Sequence, residues 1–169
     1  MANTFKKLTA LLIIATIITG CGSGQTAATR NIKQVTDGVE ADSAGIKLRN
    51  VLIVKTASAE GVLVATLVNT SDESDSLVGI AIGGAMANFV AKSNELKKNK
   101  PIIFVGESAN ADASIPVLNS GAGERIDITF TFAKTAPVTV NALVVNGEGI
   151  YKDLVRSTLT APVEATPAP

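Results

Sequence analysis

The chain has 169 residues with 15 basic and 15 acidic side chains, so its formal charge is zero, and it contains no histidine and one cysteine. That balance excludes the strong positive field nucleic-acid binding needs, and a single cysteine excludes an intramolecular disulfide. The missing histidine removes the usual general base, the Ser–His and Cys–His pairings and the commonest metal ligand, and the absence of Trp with a lone Tyr151 leaves no aromatic platform for stacking sugars or bases.

The first 20 residues have the layout of a secretory signal. Lys6 and Lys7 are followed by the apolar run LTALLIIATIIT at 8–19, then Ile18-Thr19-Gly20-Cys21. The run is about 12 residues against the roughly 20 that span a bilayer, so it is not read as a transmembrane helix. Cys21 stands where a lipobox cysteine is diacylated (palmitate or a similar chain) and becomes the new N-terminus. Two acyl chains anchor durably where one does not. Without Lys6 and Lys7 the balance is 13 basic against 15 acidic residues, still near neutral. Residues 21–44 are small and polar and read as a tether, because they offer little apolar surface to bury.

Residues 45–150 read as a run of short strands. Ile46–Lys55 (IKLRNVLIVK) and 62–68 (VLVATLV) are rich in β-branched residues, and 77–82, Asn88–Ala91 and 102–105 are shorter candidates. Arg125–Phe132 (RIDITFTF) alternates Ile126, Ile128, Phe130 and Phe132 with Asp127, Thr129 and Thr131, the period of a half-buried strand. A strand at 138–145 follows Pro137. Turn chemistry separates these runs at 69–76 (NTSDESDS), 119–124 (NSGAGE) and 133–137 (AKTAP). No stretch carries a sustained 3.6-residue apolar stripe. The pattern predicts an all-β, antiparallel sandwich of about seven strands. Residues 151–169 end in APVEATPAP and read as a Pro/Ala-rich tail.

Candidate sites are few. Asp72, Glu73 and Asp75 put three carboxylates in four residues, yet lack the alternating spacing and glycine turn of a calcium loop, so a solvated strand connection is the reading preferred. Lys92, Lys97, Lys98 and Lys100 form a basic patch, read either as a solubilising loop or as a contact for anionic headgroups. Gly106-Glu107-Ser108 begins like a nucleophile elbow but lacks its closing glycine and any histidine. Met86, the one methionine after the signal, is a single soft donor where a copper site needs several, and its apolar neighbourhood reads as core. No catalytic residue, metal ligand or cofactor is therefore assigned.

In these residues the domain resembles the PCu(A)C-type copper chaperones, within them the actinobacterial LpqE-like envelope lipoproteins. The likeness is carried by the lipobox and tether, by IKLRNVLIV as first strand, by LVNTSDESDSLVGIAI at 67–82, and by GERIDITFTFAKTAPVTVNALVV at 123–145. It implies an immunoglobulin-like, cupredoxin-like β-sandwich on the outer face of a membrane. It does not bring a metal site: the copper-binding members use histidine and methionine in H-M and H-x-M arrangements, and GESANADA at 106–113 offers no soft ligand. The function expected is a non-enzymatic binding or structural module, held at the cell membrane through lipid on Cys21 and meeting an envelope protein partner. The alternative is a copper metallochaperone-like protein with a degenerate site built from Met86 and carboxylates.

Overall fold

The computed structural model describes residues 36–154 and 156. Cys21, the signal, most of the tether and residues 157–169 lie outside the described residues. Thr36–Pro169 forms one unit of its own, and every buried apolar side chain among the described residues falls between Ile46 and Val144.

Among the described residues eleven strands form one sheet. In chain order they are β1 (Val39–Ser43), β2 (Ile46–Lys55), β3 (Gly61–Asn69), β4 (Asp75–Ile82), β5 (Ala85–Met86), β6 (Asn88–Ala91), β7 (Glu95–Leu96), β8 (Ile102–Ile103), β9 (Ala111–Ile115), β10 (Arg125–Phe132) and β11 (Val138–Asn146), followed by a 3-10 turn at Gly149–Tyr151. The path runs β5-β4-β10-β11-β2-β3-β9-β6, with β1 on β2, β7 on β4 and β8 on β3. Its two ends, β5 and β6, are separated in the chain only by Ala87, whose N–H donates to Ile80 O at 2.9 Å. The sheet thus curls until its last strand follows its first, and is nearly closed. About seven separate strands of a two-sheet sandwich was the expectation; one curled sheet of eleven is what the backbone pairing makes.

A second correction concerns pairing. β2 and β11 run parallel, with Leu143 opposite Leu52 and Asn146 opposite Lys55, so the sheet is not wholly antiparallel. This seam joins an early strand to the last one, an arrangement no local periodicity reveals.

β2 is built around a bulge at Asn50. Its φ is +51°, and the β2–β3 register shifts between Arg49 and Leu52. The extra residue re-aims the strand. Ile46 and Leu48 face the main core before it, and Val51 and Ile53 after it. Leu52 and Val54 then turn to the other face, where with Val64 they form a second small cluster under Val145, Tyr151 and Leu154. Gly38 passes so close that a Cβ there would lie 2.4 Å from the Asn50 carbonyl carbon.

The main core fills the curl. Phe104 and Phe130 are fully buried among Leu48, Leu63, Leu67, Leu77 and Ile80. Phe89 packs on Phe104 with ring centroids 6.1 Å apart. β10 alternates as its sequence predicts: Ile128, Phe130 and Phe132 point in, and Thr129 points out to share a 2.8 Å hydroxyl contact with Thr139.

Two of the segment boundaries move. β1 lies inside the stretch read as tether, held by pairing with β2 although VEADS has poor strand propensity. The two-residue turn Ala44–Gly45, with φ +45° and +83°, closes that hairpin. At the other end the tail does not begin at 151. Tyr151 and Leu154 cover the second cluster, and Arg156 grips Asp112 at 2.8 and 2.7 Å and Glu60 at 3.0 Å.

Two substitutions test this architecture by chemical denaturation. Phe130→Ala is expected to cost about 3–5 kcal/mol through lost burial and the cavity left behind. At the bulge, Asn50→Gly is expected to stay within about 1 kcal/mol of wild type, while Asn50→Val costs about 1–3 kcal/mol because a β-branched residue resists positive φ.

Candidate functional site

The acidic turn is a structural joint, and its organiser is a residue absent from the sequence-derived candidates. Asn69, at the end of β3, is 1% exposed. Its Nδ2 donates to Glu73 O at 2.7 Å and to Leu96 O at 2.8 Å, while its Oδ1 accepts from Ser71 N at 2.8 Å. Its backbone oxygen accepts from Asn99 N at 2.8 Å. One amide side chain thereby ties β3, the turn and β7 together with every polar atom satisfied. The signal in the sequence was Asn followed by Thr-Ser-Asp, an Asx-turn pattern.

The three carboxylates of that turn separate. Asp72 is exposed and pairs with Lys98. Glu73 is exposed at the turn's apex. Asp75 is only 6% exposed at the start of β4. Its Oδ1 accepts from Ser76 N at 2.7 Å and Lys134 N at 2.9 Å, and its Oδ2 from Thr135 N at 2.9 Å. Burial pushes the Asp75 carboxyl up, but hydrogen bonds from Thr135 and from the backbone of Ser76, Thr135 and Lys134 outweigh it and hold the group below its ordinary value of 3.8. A carboxylate so fully engaged is a staple between β4 and the β10–β11 turn rather than a base or a metal ligand. It borders a polar cleft of about 370 Å³ shared with Ser43, Glu73 and Lys134. Lys134 Nζ is itself engaged, donating to Ser74 O at 2.7 Å. Among the described residues no three His, Cys, Asp or Glu side chains stand close enough to hold a metal ion.

The basic patch divides as well. Lys98 turns to Asp72. Lys92, Lys97 and Lys100 instead line a second cleft of about 430 Å³ with Pro101, Ile102 and Asn110. Asn110 shapes it: Oδ1 accepts from Ile103 N at 2.8 Å, Nδ2 donates to Pro101 O at 3.0 Å, and its backbone oxygen accepts from Lys92 N at 2.8 Å. Lys97 meets Glu95 at 3.1 Å, while Lys92 and Lys100 have no carboxylate within ion-pair distance among the described residues.

Met86 is not core. It is 72% exposed on β5, opposite Ala81, with its methyl over Gly79. Sequence context misplaces it because neighbouring small residues look apolar yet sit on the outer face of the curl. Ser108 is exposed on the turn closed by Ala109 N to Gly106 O at 3.0 Å.

The C-terminal segment adds groups that were not anticipated. Tyr151 Oη donates to Asp37 Oδ2 at 2.8 Å, and burial, with that bond and Asp37's charge, pushes the phenol up to about 12. Farther along, Arg156 has its guanidinium pKa raised chiefly by the hydrogen bonds it donates to Asp112, so the clamp on Asp112 and Glu60 stays charged.

Set beside solved structures, the chain is similar to PCuAC domains. One is described as a copper-bound PCuAC domain from PmoF2 (17% identity, TM-score 0.53, covering 64% of this chain and 98% of that one). Another is an apo PCuAC domain from PmoF1 (18% identity, TM-score 0.54, covering 64% and 99%). The apo PmoF2 domain superposes equally well, with a TM-score of 0.53 at 17% identity over 66% and 98%. No family model and no curated protein matches. The fold is therefore of the PCuAC type, as the resemblance implies.

The Asp75 staple makes a pH-resolved prediction. A carboxyl whose folded pKa is depressed contributes stability above its unfolded value and loses it as pH falls through the folded one. Asp75→Asn is expected to cost about 1–3 kcal/mol near neutral pH, by setting an NH₂ against backbone donors. The gap between variant and wild type should close as pH falls below about 3.8, followed by urea midpoints across an acid series.

Proposed function

We propose that this chain is a non-enzymatic binding module of the cell envelope, of the LpqE-like kind, with a cupredoxin-like fold, held at the extracytoplasmic face of the membrane by acyl chains on Cys21. The observation that carries the reading is a PCuAC-type fold in a chain with no histidine at all. The fold supports a binding role; the missing imidazoles leave copper without its usual nitrogen donors. The surface favours the same view. Asp75 and Asn69 spend their polar atoms on joining loops, and Ser108 sits alone on an open turn. On this reading the chain acts by contact, and an envelope protein is the partner proposed.

A copper-carrying reading has one observation in its favour: Met86 is held out on the surface, where a thioether is accessible to a soft ion. A single thioether with scattered carboxylates makes a weak site.

Two measurements test the proposal. Cys21→Ala is expected to abolish incorporation of labelled palmitate and to move the protein out of the membrane fraction; unchanged fractionation overturns the anchor. Against a Cu(I) chelator, residues 22–169 are expected to retain no copper. Sub-nanomolar retention, lost on Met86→Leu, would establish the metallochaperone reading instead.

A further inference from the structure

We infer that the lysine-rimmed cleft between the β6–β7 connection and β8 is a docking surface for anionic phospholipid headgroups, which orients the domain on the bilayer. The inference rests on the anchored reading of Cys21. Three cations, Lys92, Lys97 and Lys100, converge on one depression whose floor is Pro101 and Ile102. Glu95 is the one carboxylate facing them, and it is matched by Lys97 alone at 3.1 Å. Two positive charges are left over on a concave, partly apolar surface.

The chemistry suits a headgroup layer better than an isolated phosphate. Each lysine is a point charge on a flexible stem, without the directed, bidentate donors that select a single oxyanion. Lysine stems lie along apolar surface while their ammonium groups reach outward, which matches phosphates packed above glycerol and acyl carbons. The walls are firm where they need to be. Asn110 fixes the Pro101 and Ile103 backbone and the start of the β6–β7 connection, so the cleft is present before anything binds.

Chain length makes weak charges sufficient. Cys21 and Thr36 are 15 residues apart, so an anchored Cys21 keeps the domain within ~54 Å of the bilayer even at full extension. At that distance the headgroups act at high effective concentration. Screening over ~8–10 Å means the lysines count only on contact, so they set orientation rather than capture.

The test supplies its own anchor. Residues 22–169, which contain the whole core, are attached through an N-terminal hexahistidine to vesicles bearing nickel-chelating and spin-labelled lipid, and amide broadening is read by NMR. With phosphatidylglycerol present, broadening is expected to concentrate at residues 92–102, and to lose that focus when phosphatidylcholine replaces the phosphatidylglycerol. Lys92→Gln with Lys100→Gln is expected to weaken the surface contact ~25-fold, about 5-fold per lysine. The same charge removed at Lys47 and Lys152 should leave the pattern unchanged. Broadening spread evenly over the domain, or equal loss from the Lys47 and Lys152 pair, overturns the inference. So do signals at 92–102 that move with inorganic phosphate but not with vesicles, which would mark a free-phosphate site. Because the vesicle supplies the anchor, failure here leaves Cys21 acylation standing, and failure of acylation in cells leaves this result standing.

Discussion

One extra residue in β2 sets the arrangement of the domain. Without the bulge at Asn50 the strand would keep a single alternation, and Val51 and Ile53 would turn away from the core that Ile46 and Leu48 begin. With it, β2 feeds the main core along its whole length and still offers Leu52 and Val54 to the opposite face. That second face is what the C-terminal segment covers. Tyr151 and Leu154 lie on it, and Arg156 locks the segment to Asp112 and Glu60. A backbone conformation that few residues tolerate is therefore supported by packing on both sides of the sheet.

The open side of the curl is closed by polar groups. The segment 92–103 crosses from β6 back to β3, lays two short strands on β4 and β3, and drops Leu96 into the core. So short a pairing is weak alone. Asn69 and Asp75 hold it and the adjoining turn in place, each buried and each satisfied by backbone partners from distant parts of the chain. In a sheet with few aromatic residues, such joints supply the specificity that larger side chains supply elsewhere.

This division bears on function. Of the acidic turn, Asp72 pairs with Lys98 and Asp75 is used up in holding loops, while Glu73 stays open at the apex. Lys92 and Lys100, part of the basic patch legible in the sequence, keep charge unpaired among the described residues, and the crossing segment sets them on one cleft with Lys97. The PCuAC-type fold thus carries a cationic cleft on its surface, in a chain with no imidazole.

By itself the sequence determined the all-β class, the core strands Ile46–Lys55 and Arg125–Phe132, the turns between them and the absence of histidine chemistry, since alternation, turn residues and composition are local properties. The expectation of a lipid on Cys21 likewise rests on spacing alone. Tertiary structure decided the rest. It decided that β1 and β9, poor in strand-forming residues, are strands, because a neighbour's free backbone groups recruit them. It decided the parallel β2–β11 seam, the exposure of Met86 and the roles of Asn69, Asp75 and Arg156. The three polar roles rest on partners far along the chain, Leu96 for Asn69, Thr135 for Asp75 and Glu60 for Arg156, and pairing at that range is written in the closed sheet rather than in any window of the chain.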